Sequence, residues 1–215
     1  MANEVENASQ KRPLFESVCL FAALLAMSSA AYAGETKYKL VDLGTLGGSY
    51  SSGVAINARG QSTGDSATTG DVFTHAFIYS GRTMTDLGSI GGGSTHSSAI
   101  NVRGQVTGAA TTADDVANHA FIYANGRMRD LGTLGGSSSS GDFINELGQV
   151  AGSSLTANDI GYHAFIYRSG TMTDLGTLGG SSSFPTAINA LGQVTGNSTT
   201  AGDVILMPSF TATGR

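Results

Sequence analysis

The pentapeptide HAFIY stands at 75–79, at 119–123 and again at 163–167. In an extended chain its His, Phe and Tyr fall on one side and its Ala and Ile on the other. Both sides are largely apolar, so the segment is expected as a strand covered on both faces. The pattern around it recurs with it. DLG begins at Asp42, Asp86, Asp130 and Asp174, IN at Ile56, Ile100, Ile144 and Ile188, and the glycine of GQ is Gly60, Gly104, Gly148 and Gly192. Every interval is 44 residues.

One unit, 86–129, reads as four strands joined by turns. DLGSIGGGST ends one strand and opens a glycine-rich connection, SAINV is a short strand, and NVRG is a turn whose Gly104 suits a positive φ. QVTGAAT is the next strand, TADDVAN a polar loop, HAFIY the apolar strand and RMRDLG the last. Asn125-Gly126 between the final two predicts a type I′ hairpin, and the glycine-first Gly81-Arg82 predicts type II′ at the same place. Four strands in 44 residues predict an all-β fold of tandem repeats, β-propeller-like with about four blades and open to being incomplete. A solenoid of short β-coils ranks second, because its coils are usually shorter and lack a two-residue hairpin.

The expected units lie near 42–85, 86–129, 130–173 and 174–215. The last follows the pattern through GDV at 202–204 and then reads ILMPSFTATGR. Pro208 stands where Ala76 stands in the first copy, and proline confines a strand to a sheet edge or excludes it. Two readings stay open. The N-terminal KYKLVDLG and the C-terminal AINA and QVTGNST complement each other and would together close a ring, or the chain is a truncated portion of a longer array.

Residues 1–33 have the order of a secretory signal peptide. Lys11 and Arg12 precede VCLFAALLAM at 18–27, and Ala31 and Ala33 occupy the small-residue positions before Gly34, the expected cleavage point. The apolar run is short of the roughly 20 residues that span a bilayer, so no membrane span is expected after cleavage. The expected mature domain, 34–215, loses Cys19 and with it any thiol chemistry. Its formal charge is −4 (11 less 2 basic, 16 less 3 acidic residues). Without a basic patch, nucleic acid is excluded as an expected partner.

The stretch HAFIYSGRTMTDLGSIGGGSTHSSAINVRGQVTG resembles the HAF repeat of bacterial extracellular proteins. The resemblance covers about 38–204. It implies a secreted or surface-associated bacterial protein with a propeller-like β fold, and it implies no reaction and no catalytic or ligand-binding residues.

The recurring polar residues invite chemistry and also have plainer readings. His75, His119 and His163 suggest a metal, but ligands must converge on one ion. The reading preferred is one structural histidine per unit, bonded to Asp86, Asp130 or Asp174 or to an Asn of AIN. Asp71, Asp115, Asp159 and Asp203 raise calcium, which takes oxygen ligands from loops. One carboxylate per loop is sparse, and a turn aspartate capping its own backbone is preferred, so no cofactor is expected. Asn57, Asn101, Asn145 and Asn189 open the N-x-x-G turns and are expected to bond nearby backbone. Met84, Met128 and Met172 read as packing, and the LGTLGG copies, lacking the Lys-Ser/Thr of a phosphate loop, as tight connections.

An enzyme on such a scaffold would use residues that break the repetition. Those are His96, Tyr50, Tyr162, Asp142, Phe184 and Arg168, and no catalytic constellation is legible among them. The expectation is therefore a secreted, non-enzymatic binding or surface-structural scaffold, its partner an extracellular or surface glycan or protein met by the variable loops 65–74, 109–118 and 153–162. Open sheet edges also offer self-association. The alternatives are a carbohydrate-active or other hydrolytic propeller and a truncated copy without function. The compartment expected is extracellular or cell surface, with the periplasm open.

Overall fold

The computed structural model describes residues 38–203 and 206–211. The signal-peptide reading of 1–33, with Ala31, Ala33 and Gly34, lies outside the described residues. The repeat region belongs to one compact unit, Leu43–Arg215.

Four antiparallel sheets follow one another in chain order, each a meander. The first holds β1 (Gly47–Ile56), β2 (Ser62–Thr68), β3 (Thr74–Ser80) and β4 (Thr83–Asp86). The second holds β5 (Thr95–Ile100), β6 (Val106–Thr111), β7 (Asn118–Ala124) and β8 (Arg127–Gly132). The third holds β9 (Gly135–Ile144), β10 (Val150–Thr156), β11 (Tyr162–Arg168) and β12 (Thr171–Asp174). The fourth holds β13 (Gly179–Ile188), β14 (Val194–Thr200) and β15 (Leu206–Thr211). Pro208 thus lies in an edge strand, opposite Asn197. Residues 38–45, the segment expected to complete this sheet, carry no strand, and Tyr38 and Leu40 are exposed.

Two local expectations are corrected. The glycine-rich segment is not only a connection. In β1, β9 and β13 the GGS run is itself strand, and a bulge falls at Val54, Asp142 and Thr186, as it does at Ser98 in β5. A bulge bends the strand and re-aims one side chain. The hairpin at 81–82 is not type II′. Gly81 and Arg82 have φ of 57° and 72°, so both central residues are left-handed, as are Asn125-Gly126 and Ser169-Gly170. The flanking pair Ser80↔Thr83 matches Ala124↔Arg127 and Arg168↔Thr171, and that shared register forces the type I′ turn even where its second residue is arginine.

The first two joints between successive sheets share one apolar packing, and all three share one hydrogen-bond pattern. Ala76 and Leu87 of the first sheet bury themselves against Val106 and Phe121 of the second. Ala120 and Leu131 do so against Val150, Phe165 and Tyr167 of the third. A hydroxyl bolts each joint. The Ala76, Ala120 and Ala164 amides donate to Thr95 Oγ1, Ser139 Oγ and Ser183 Oγ at 2.8, 2.8 and 2.9 Å. Each hydroxyl in turn donates to Gly88, Gly132 or Gly176 O. All three are buried, so each donor and acceptor is satisfied without water.

A second line of bonds runs along the N-x-x-G turns. Asn57 Nδ2 donates to Asn101 O, Asn101 Nδ2 to Asn145 O and Asn145 Nδ2 to Asn189 O, at 2.8, 2.9 and 2.9 Å. Each Asn Oδ1 also accepts two amides of its own turn, for example Arg103 N and Gln105 N from Asn101. The side chain therefore both shapes its turn and ties it to the next unit.

Candidate functional site

The polar loop between the second and third strands forms one edge of every sheet. The loop aspartates are not the caps of their own backbone that the sequence suggested. Asp71, Asp115, Asp159 and Asp203 have φ of 53–56° and reach back 22 residues, accepting from Ser49, Gly93, Ser137 and Ser181 N at 2.6–2.7 Å. The Ser181 amide, then the Thr199 and Ser181 side chains, hold the Asp203 carboxyl below the usual carboxylate range. This approach explains the second glycine of each GG. A Cβ on Gly48, Gly92, Gly136 or Gly180 would stand 2.6–2.7 Å from the aspartate oxygen. Loop and glycine segment also meet between units, where the Phe73 ring presses on Gly93 of the next repeat and Gly161 meets Ser181 O.

The tips of these loops carry apolar side chains into solvent. Val72, Val116 and Ile160, again 44 residues apart, are 67%, 82% and 74% exposed, and Phe73 is 43% exposed. The repeat places an aliphatic side chain at the same outward loop position three times. Rows of exposed apolar side chains on one edge are what a contact surface requires.

The histidines do not gather. Each pairs inside its own sheet, with the DLG aspartate and not with the AIN asparagine. His75 Nδ1 meets Asp86 at 2.9 Å, His119 meets Asp130 at 2.9 Å and His163 meets Asp174 at 2.9 Å. The same carboxylates accept Gly88, Gly132 and Gly176 N at 2.7 Å, closing the turn after β4, β8 and β12. Asp42 lies in the strandless stretch 38–45. Among the described residues, no three His, Cys, Asp or Glu side chains come close enough together to hold a metal ion.

The residues that break the repetition make two small polar clusters. His96 Nδ1 lies 3.0 Å from Asp65 Oδ2, while the Ser97 amide and hydroxyl donate to Asp65 Oδ1. Asp65 went unnoticed in the sequence. Its signal was there, since the equivalent positions are Ala109, Ser153 and Asn197. The imidazole is held by a carboxylate and 58% of the side chain is exposed, as a general base would need. The Ser97 hydroxyl, however, is turned to the aspartate, and among the described residues the ring's one hydrogen-bond partner is Asp65. Tyr50 bonds Thr74, and Tyr162 and Phe184 lie with ring centroids 6.0 Å apart. Arg168 is exposed.

Asp142, the bulge residue of β9, accepts from Ser140 and Ser153 hydroxyls at 2.9 and 3.2 Å. Burial pushes its carboxyl up, and the two serines offset this only in part. A carboxyl raised by folding contributes stability that is complete below its unfolded value, about 3.9, and lost as pH rises through the folded value. Asp142→Asn, which keeps both serine partners, is therefore expected to raise the melting temperature at pH 7. The gain should shrink to nothing by pH 3.5, and melting curves of both proteins at the two pH values check it.

At the opposite edge, an open groove between the second and third sheets is lined by Met128, Tyr167, Arg127 and Arg129, with the Arg129 guanidinium 5.7 Å from the Tyr167 ring centroid. Compared with known proteins, the chain matches no family model and no curated protein.

Proposed function

We propose that the protein is an exported, non-enzymatic scaffold of the HAF-repeat type, whose four sheets act as propeller-like blades and whose loop edge docks a partner protein. The observation that carries this reading is the row Val72, Val116 and Ile160, apolar and exposed at one position of three successive loops. Aliphatic side chains favour a protein partner over a glycan, which is usually gripped by aromatic rings and hydrogen bonds. The aspartate bonds to the glycine segments fix the base of each loop, which lowers the ordering entropy that opposes docking. Export rests on the N-terminal sequence pattern, and the mass of the protein recovered outside the cytoplasm should begin at Gly34.

The test replaces Val72, Val116 and Ile160 together by serine. These side chains are exposed, so folding should be unaffected. Immobilised wild-type protein should retain an envelope or medium protein of the producing cells that the triple variant retains at least tenfold less, with His96→Ala retaining it normally. Equal retention by the triple variant would sink the assignment.

One observation favours a second reading, hydrolysis. The Asp65–His96 pair has the orienter and base of a nucleophilic site. Loss of a measured hydrolysis on His96→Ala would support it; hydrolysis indifferent to both His96→Ala and Asp142→Asn would remove it.

A further inference from the structure

The second sheet departs from its neighbours on the face it turns to the third. Ile122 and Ala124 of β7 stand opposite Arg129 and Arg127 of β8, so the four side chains share one face. In the first sheet the same positions are Ile78, Ser80, Thr85 and Thr83, and β12 of the third repeats the Thr-Met-Thr of β4. Of the three four-stranded sheets, only the second sets two arginines here. They stand on one wall of the open groove whose other wall is Tyr167, Ser169 and Gly170.

The charged and buried polar groups of this groove are donors without partners. The Tyr167 ring holds the Arg129 guanidinium in place, 5.7 Å from its centroid. Neither arginine has a carboxylate partner, since the ion pairs among the described residues all join histidine to aspartate. The nearby acids are engaged elsewhere. Asp130 falls on the other side of β8 and meets His119 Nδ1 and Gly132 N, and Glu146 accepts from Val102 N. Tyr167 is 6% exposed, and its hydroxyl makes no hydrogen bond among the described residues. No fully buried side-chain polar atom among those residues lacks a partner, so this hydroxyl opens on the groove that Tyr167 lines.

We propose that the groove binds a small organic acid, independently of the loop row. Its carboxylate accepts from Arg127, Arg129 and the Tyr167 hydroxyl, and its apolar body lies on Ile122 and Ala124. Guanidinium forks match carboxylate oxygens in geometry as well as charge. The groove measures about 670 Å³, inside the range of small-molecule sites, roughly 300–1,000 Å³. The surrounding edge favours the same sign of ligand. Arg59, Arg82, Arg103 and Arg168 lie in or beside its turns, where Glu146 is the one carboxylate among the described residues, so the edge draws anions toward the groove.

Naphthoate is a suitable probe, titrated into the full chain and followed by amide NMR. Saturable shifts are expected at Arg127, Gly148, Ser169 and Gly170, with none at Thr83 and Gly104, the equivalents of Arg127 and Gly148 in the preceding unit. Naphthamide, the same body without the charge, should bind about tenfold or more weakly, the worth of hydrogen bonds to a charged group. Arg127→Thr/Arg129→Thr gives β8 the Thr-Met-Thr of β4 and β12, so it should fold, and it should weaken naphthoate by a similar factor. Tyr167→Phe keeps the packing and should also weaken it. Arg59→Ser/Arg82→Asn takes the same charge from the first sheet and should leave the affinity unchanged. Absence of saturable shifts in the wild type, equal affinity for naphthamide, undiminished affinity in Arg127→Thr/Arg129→Thr, or an equal loss in Arg59→Ser/Arg82→Asn would each overturn the proposal.

Discussion

Phe121→Ala is expected to destabilise the protein by about 3–5 kcal/mol, the range for truncating a fully buried aromatic side chain. The ring is wholly buried and reaches across a joint, touching its own Gly108 and sharing a cluster with Ala76, Leu87 and Val106. Truncation leaves a hole between two sheets that cannot collapse, because the Ala76–Thr95 hydrogen bond fixes their spacing. Urea unfolding of the variant and the wild type measures the loss. A change below about 1 kcal/mol would mean that the joint is not packed as described.

Asn101→Ala should cost about 2–4 kcal/mol, against about 1 kcal/mol for Asn189→Ala, because buried groups left without partners carry most of the penalty. Asn101 is 2% exposed and makes four bonds, to Arg103 N, Gln105 N, Gln105 Oε1 and Asn145 O. Asn189 makes the three bonds of its own turn and is exposed. The difference between the two variants isolates burial and the bond across units. Equal effects would reduce the asparagine line to a set of independent turns.

Much of this architecture was legible because the repeat displays itself. Strand order, turn positions and the two-sided burial of HAFIY follow from alternation and spacing alone. What the sequence concealed are the relations between units. Asn101 has a sufficient local explanation in its turn, so nothing in the sequence called for the second bond to Asn145. Asp115 looked like a turn former for the same reason, and its partner lies 22 residues away. The glycine standing first at 81–82 argued for a type II′ turn, and strand register overrode it. Asp65 was readable as the odd member of an alanine, serine and asparagine column, and it became meaningful only when His96 was found beside it.

The central claim is that one joint, repeated three times, binds the four sheets into a single scaffold for the loop row. Amide exchange at Ala76, Ala120 and Ala164 tests it most directly, since these three amides donate across the joints to Thr95, Ser139 and Ser183. Three amides protected to within about tenfold of one another, opening together with global unfolding, are the result predicted. Exchange at the rate of unprotected amides, or loss of protection at one joint well before the others, would contradict it.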